Sequence, residues 1–314
     1  MPTVLRILAG IPGLVLLCLG ADWLVKGGAA AARRLGVPSL VIGLTLVAFG
    51  TSAPELVVSI DAALKGCGGL SLGNVVGSNI CNVALILGAS ALAAPVAVNR
   101  RLYRLDFPLL IVASLAVWGF FRMSGGVNRW QAGVLLAACA GYLVWNGVAG
   151  RAAGAEEEKE GTKPMGMWAA LGLACAGIAG LAVGARLLVD SAVETAKLLG
   201  VSDAVIGLTV VALGTSLPEL ATSLTAARKA ESDIAMGNVV GSNLLNILGI
   251  LGVAPLIRPI EGAGIREGDL LVMTSLAVLL PVMGLRRGRV GRGWGAVLCG
   301  VYVAYNAWLL LRGG

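Results

Sequence analysis

Residues 43–88 recur at 207–252 with a constant offset of 164 positions and no gaps, and 26 of the 46 paired positions are identical. Any fold must therefore build the same local structure twice. Weaker similarity reaches back to Gly20 and Gly184 and forward to Pro95 and Pro259. The chain carrying this duplication is apolar throughout: 57% of its 314 residues are hydrophobic and 13% are charged, with a mean hydropathy of +0.88. A soluble domain carries about 25% charged residues. Apolar runs of about 20 residues, the length that crosses a bilayer, follow one another along the chain and indicate a polytopic membrane protein. Disordered, collagenous, coiled-coil and disulfide-scaffold classes are excluded.

Ten spans are expected, at roughly 4–32, 38–64, 71–93, 105–121, 130–149, 167–197, 202–227, 234–256, 269–285 and 293–312. The first is read as a true span rather than a cleaved leader. Its only early basic residue is Arg6, and no small residue stands where a lipoprotein cysteine at Cys18 would need one. The polar stretch Arg151–Lys163, with Glu156, Glu157 and Glu158, reads as a solvated linker. The chain then divides into a first five-helix repeat (1–150), a cytoplasmic linker (151–166) and a second repeat (167–314). Five is odd, so the second copy enters the membrane from the opposite face. The expected fold is an all-α polytopic membrane protein of ten transmembrane helices in two inverted five-helix repeats, the architecture of secondary transporters.

Charge orients it. Loops after odd-numbered spans hold 14 Lys and Arg residues, the opposite side with both termini holds 8, and Lys26 and Arg186 lie within spans. The positive-inside rule places the odd loops in the cytoplasm and both termini outside the cell (inner) membrane. The net charge of +7 then reflects basic loops rather than nucleic-acid binding. The chain has no histidine, which removes Ser-His and Cys-His nucleophiles, HExxH zinc sites and His-ligated haem. Its six cysteines form no CxxC pair and read as small packing residues. With no nucleophile–base pair, an enzyme has nothing to stand on.

The most similar stretch is Gly50-Thr-Ser-Ala-Pro-Glu55 against Gly214-Thr-Ser-Leu-Pro-Glu219. Pro54 cannot donate to the carbonyl of Gly50, nor Pro218 to that of Gly214, so backbone carbonyls are released at membrane depth, where they must line a polar cavity. Thr51 and Glu55 stand at i and i+4, and Ser52 and Glu55 at i and i+3, on one side of the helix. A carboxylate at the bilayer centre costs about 2.5–3.5 kcal/mol on insertion scales. Two at matching positions point to a cation site of hard oxygen ligands. The alternative is a pair of structural glutamates, or one salt-bridged to Lys26 or Arg186.

A second block, Gly73-Asn-Val-Val-Gly-Ser-Asn79, ends in Asn82 on the third helix and is mirrored by Gly237–Asn243 and Asn246 on the eighth. Asn74, Ser78 and Asn82 form one polar stripe, and Asn238, Ser242 and Asn246 its copy. For Asn74 and Asn238, interhelical glue and a place in the site stand open equally, while Asn82 and Asn246 read as site residues. Asp61 with Lys65, Asp22 with Lys26, and Asp190 with Glu194 lack acidic mates at the 164 offset and read as interfacial.

These two blocks at inverted positions resemble the sodium/calcium exchangers of the calcium/cation antiporter superfamily, close to the small prokaryotic members, and the resemblance covers essentially the whole chain. It implies an alternating-access antiporter with cation sites between the second, third, seventh and eighth helices, and no cofactor besides the transported Ca2+ and Na+. Carried over, Glu55 and Glu219 would be the main calcium ligands. Thr51, Ser52, Thr215, Ser216, Ser78, Asn82, Ser242 and Asn246 would coordinate cations, with the backbone carbonyls of Ala48 and Ala212. The long first and sixth helices would slide across the rest. Some relatives carry aspartate at one of the positions matching Asn82 and Asn246; this chain has asparagine at both. The pocket then has two formal negative charges, which one calcium or two sodium ions neutralise, and the linker is too short for soluble calcium-sensing domains. A proton/calcium exchanger, with the glutamates loading protons, and a cation channel lined by them are the rival readings.

Overall fold

The computed structural model describes residues 8–153, 165–198 and 212–313. In them the chain is almost wholly helical. Helix α1 spans Gly10–Leu35 and closes on Gly36 in the left-handed conformation, with Arg33 and Arg34 in its last turn. The second span is broken into α2 (Ser39–Thr51) and α3 (Ala53–Leu64), bent by 48°. There follow α4 (Gly68–Ala93), α5 (Asp106–Ser124) and α6 (Arg129–Ala153). In the second half come α7 (Met167–Leu198), α8 (Ala212–Thr215), α9 (Leu217–Arg228), α10 (Ser232–Ile257), α11 (Glu267–Leu285) and α12 (Arg292–Gly313). Eight of these are long and apolar enough to cross a membrane, and the bent pair α2–α3 makes a ninth. The seventh expected span is represented by α8 and α9. Its first residues, like Arg6 and most of the linker, lie outside the described residues.

Burial separates core from lipid-facing helices. The apolar windows of α4 and α10 are 78% buried within the protein, against 28% for α5 and α6 and 11% for α12. The central pair therefore carries the core and the outer helices present their apolar faces to lipid. Four two-residue strands make two short ties: β1 (Val96–Ala97) with β4 (Arg289–Val290), and β2 (Gly126–Val127) with β3 (Ile260–Glu261). Each tie joins a loop that follows the third helix of one half to the loop between the fourth and fifth helices of the other. Such pairing requires both loops of a tie to lie on one membrane face, as an inverted repeat provides and a parallel repeat does not.

Helices α1 and α7 pack antiparallel, backbone against backbone. A Cβ on Gly20 would stand 2.7 Å from the Leu181 nitrogen, one on Gly177 2.5 Å from the Leu24 nitrogen, and one on Gly27 2.6 Å from the Ala174 nitrogen. Small residues at seven-residue spacing let the two backbones meet, which replaces the hydrophobic drive that lipid removes. Gly20→Leu or Gly177→Leu is therefore expected to cost about 1–3 kcal/mol, as overpacking does, and to lower the Tm of the detergent-purified protein by several degrees. Gly119→Ala, in open space on α5, should leave the Tm unchanged.

Candidate cation-binding site

Both Gly-Thr-Ser-x-Pro-Glu segments break their helices at equivalent serines. Ser52 has φ −82° and ψ 6°, and Ser216 has φ −89° and ψ 5°. The prolines explain the position of the break: each falls in the first turn of the new helix, where a missing N–H is tolerated. Glu55 and Glu219 also fall in these first turns, at the positive end of a helix dipole, which favours a carboxylate there.

The two breaks meet at the centre of the molecule, and their partnerships cross between repeats. Ser52 Oγ donates to Glu219 Oε1 at 2.9 Å, while Ser216 Oγ donates to Glu55 Oε1 at 3.2 Å and lies 3.5 Å from Ser78 Oγ. Thr51 faces Glu219 alongside Ser52, and Thr215 faces Glu55 alongside Ser216. Each turn's serine hydroxyl thus serves the other turn's glutamate, a relation that helical spacing within one repeat does not reveal. Glu55 is 1% exposed and Glu219 2%.

Asn74 Nδ2 donates to the Glu55 carbonyl at 3.1 Å and to Ser59 Oγ at 2.9 Å. Its mate Asn238 reaches the Glu219 carbonyl at 3.4 Å and Ser223 Oγ at 2.9 Å, and accepts from Thr51 Oγ1 at 3.0 Å. These two asparagines therefore hold the glutamate-bearing helices onto α4 and α10. Helix α4 widens into π-helical turns over Cys81–Leu87, and α10 over Leu245–Ile250, a feature common at functional sites. Within these turns Asn82 Nδ2 donates to Asn243 Oδ1 at 3.0 Å, and Asn246 Nδ2 donates to Asn79 Oδ1 at 3.1 Å. The amide nitrogens are thereby fixed by the other repeat and the carbonyl oxygens turn away from these bonds.

What remains is a set of buried acceptors with no donor: Glu55 Oε2, Glu219 Oε2, Asn82 Oδ1 and Asn246 Oδ1, related two by two by the repeat, with Ser242 Oγ. A buried group left without a partner costs about 1–3 kcal/mol, more when charged. Among the described residues no Lys or Arg pairs with either glutamate. Lys26 pairs with Asp22 at 2.7 Å instead, so the structural salt bridge considered from sequence is not formed. Nor does any group of three or more His, Cys, Asp or Glu side chains that could hold a metal occur among the described residues. A cation held here takes two carboxylates and otherwise neutral oxygens, the donor chemistry of calcium and sodium. The Ala48 carbonyl accepts from Ser52 N at 2.9 Å and lies 3.3 Å from Thr51 Oγ1. That hydroxyl has one proton, and giving it to Asn238 releases a lone pair on Ala48. Ala212 opens α8 one turn before Ser216, as Ala48 stands before Ser52.

Sequence reasoning missed Asn79 and Asn243 as the partners of Asn82 and Asn246, and Ser59 and Ser223 as those of Asn74 and Asn238. All four are identical at the 164 offset, and that identity was the available signal. It also missed Asp106 and Asp269, both 2% exposed. Each accepts from a tyrosine 36 residues on, Tyr142 and Tyr305, at 2.9 Å, joining the fourth helix of each half to the fifth. Asp61 pairs with Lys65 at an exposed helix end as expected. Asp22 binds Lys26 and also Lys229, which follows the last residue of α9, a partner that spacing along the sequence does not supply.

Fold and geometry together define a multi-pass membrane protein in which two glutamate-bearing helix breaks meet where the two inverted repeats join. The family model described as sodium/calcium exchanger protein matches residues 6–148 and again 169–311. The chain is 33% identical over 339 residues to the sodium/calcium exchanger MaX1 of Methanosarcina acetivorans, covering 93% of this chain and 95% of that one. It is 35% identical over 314 residues to the inner membrane protein YrbG of Escherichia coli, with 95% of each covered. Among solved structures it resembles the sodium-calcium exchanger NCX_Mj soaked with Na+ and Sr2+, with a TM-score of 0.86 and 34% identity over 98% of this chain and 99% of that one. The chain belongs to the sodium/calcium exchanger family of cation/calcium antiporters, among its small prokaryotic members.

Partners that aim a ligand typically matter about 10–100-fold in metal affinity. Asn79→Ala and Asn243→Ala, which free the Asn246 and Asn82 amides to rotate, are each expected to weaken calcium binding by about tenfold. Equilibrium binding of radioactive calcium to the purified protein measures this, and Ser90→Ala, a buried serine on α4 outside the cluster, is the control.

Proposed function

We propose that this chain exchanges sodium for calcium by alternating access, through one central site built from both repeats. The observation that carries the reading is the set of four buried, donorless acceptor oxygens on Glu55, Glu219, Asn82 and Asn246. Calcium takes about 6–8 oxygens. Two bidentate carboxylates supply four, and Asn82, Asn246, Ser78, Ser242, the Thr51–Ser52 and Thr215–Ser216 hydroxyls and the Ala48 and Ala212 carbonyls supply the rest. Sodium ions use the same oxygens. When calcium leaves, two buried negative charges face each other without compensation, which is costly, and sodium entering from the same face relieves this. Occupancy by one ion species or the other is thus required at every step, and that requirement couples the two fluxes.

We assign the halves to residues 1–150 and 167–314, joined by a cytoplasmic linker at 151–166, with both termini extracytoplasmic. The excess of Lys and Arg in the odd loops supports this orientation, and the two strand ties support the inverted relation of the halves.

Calcium uptake into proteoliposomes tests the reading. Sodium-loaded vesicles should accumulate calcium, potassium-loaded ones should not, and Glu55→Gln or Glu219→Gln should each reduce the rate at least a hundredfold. Uptake driven by a proton gradient alone would instead assign proton/calcium exchange, and uptake without any counter-ion would assign a channel.

Charge balance makes a separate prediction. With asparagine at both 82 and 246 the site is neutral with one calcium or two sodium ions, so wild-type exchange should depend little on membrane potential. Asn246→Asp adds a negative charge that a third sodium compensates, and should make uptake potential-dependent. Identical potential dependence in the two proteins would contradict this account of the site charge.

A further inference from the structure

The two repeats match closely around the cation site, yet the ion pair at the end of α9 has no counterpart in the other half. Asp22, midway along α1, is half-buried and accepts from both Lys26 and Lys229. Lys229 follows the last residue of α9, the helix that carries Glu219. The pair therefore fastens the α1–α7 unit to a site helix.

Shifting each partner by 164 residues shows why there is only one such fastening. The counterpart of Asp22 is Arg186, and the counterpart of Lys229 is Lys65, so the symmetry-related contact would oppose two cations. Lys65 is taken by Asp61 of its own helix at 2.6 Å. Asp61 is replaced in the second half by Thr225, which leaves Lys229 with no acid on its own helix at that position. Two pairs of positions, Asp22 with Arg186 and Asp61 with Thr225, thus differ in the sense that builds the contact in one half and abolishes it in the other, around a lysine that both halves keep.

The surroundings of α7 give the contact a consequence. Its Ile178 side chain covers Gly50, where an added Cβ would meet Cδ1 at 2.5 Å, and its Val189 covers Gly214, with Cγ2 at 2.3 Å from such a Cβ. Both helix breaks of the site are therefore capped by one helix, which the glycine contacts lock to α1. A largely apolar cavity of about 540 Å³ lies between α7 and the two breaks, lined by Pro54, Pro218, Arg186 and Asp190 among others. Inverted-repeat transporters alternate access by moving one bundle against the other around the fixed site, and the internal symmetry makes an exchange of the halves' conformations the second state of that movement. In this chain that exchange would separate Asp22 from Lys229 and bring Arg186 toward Lys65.

We propose that the Asp22–Lys229 ion pair is a one-sided latch on the α1–α7 unit, favouring the observed arrangement over its inverted counterpart and so setting the ratio of apparent calcium affinities at the two membrane faces. The inference rests on the alternating-access reading above. It is tested by a distance that does not depend on which ions are carried. Nitroxide labels at Val15 on α1 and Val112 on α5, both exposed to lipid at 52% and 61%, are placed in a cysteine-free background and measured by pulsed dipolar spectroscopy in nanodiscs. Wild type and Lys229→Arg should share one dominant distance. Asp22→Asn and Lys229→Met should raise a second distance at least threefold in population, while Glu267→Gln, which removes the exposed Arg122–Glu267 pair, should not. Distance distributions of Asp22→Asn and Lys229→Met that superimpose on wild type would overturn the proposal. So would an equal shift in Glu267→Gln, which would mark a general effect of lost surface charge. Failure of sodium-driven uptake with the distance shift intact would overturn sodium coupling and leave the latch standing.

Discussion

Two buried carboxylates with no basic partner among the described residues are the constraint on which the rest of the structure depends. Charge in a low-dielectric interior is tolerated only when it is paired, hydrogen-bonded or metal-bound. Here one oxygen of each glutamate is satisfied by a serine of the opposite repeat and the other has no hydrogen-bond donor, the oxygen that the proposed cation would take. The helix breaks follow from this need: an unbroken helix would point its hydroxyls and its glutamate in a fixed relation and present no helix N-terminus to the charge. Proline two residues past the break creates both. Close contact of the site helices then demands small residues, as where Gly237 and Gly241 on α10 meet the α2 backbone at Gly43 and Leu44.

The crossed pairing has a mechanical meaning. Because Ser52 binds Glu219 and Ser216 binds Glu55, neither repeat holds a complete site. A relative displacement of the repeats therefore alters the surroundings of both glutamates together. The asparagine lattice extends the same logic, since Asn82 and Asn246 are each oriented by an amide of the other half. Neutral amides here limit the site to two charges and so limit the ions that fit without surplus.

Much of this was legible in the sequence because membranes simplify the reading. Apolar length gave the helices within a few residues: α4 begins at Gly68 where residue 71 was expected, and α11 at Glu267 where 269 was. Duplication gave the inverted topology, and the Pro-Glu pairs gave the break and the charge. What periodicity could not supply was contact between repeats. Helical spacing says that Thr51, Ser52 and Glu55 share a face, but not that the face belongs to Glu219. For the same reason Asn79 looked like part of a motif and not the partner of Asn246. Asp22 reads as interfacial because it sits toward a span end and lacks an acidic mate at the 164 offset, and neither feature points to Lys229, 207 residues away.

The central claim is that calcium and sodium compete for one two-charge site made jointly by the repeats. Equilibrium binding of radioactive calcium to the purified protein at increasing sodium concentration tests it most directly, with no membrane gradient involved. The account predicts one calcium per chain, displaced by sodium with a Hill coefficient of about 2, as two monovalent ions replacing one divalent ion require. Calcium binding that persists undiminished at saturating sodium would contradict it, because the two ions would then occupy separate sites.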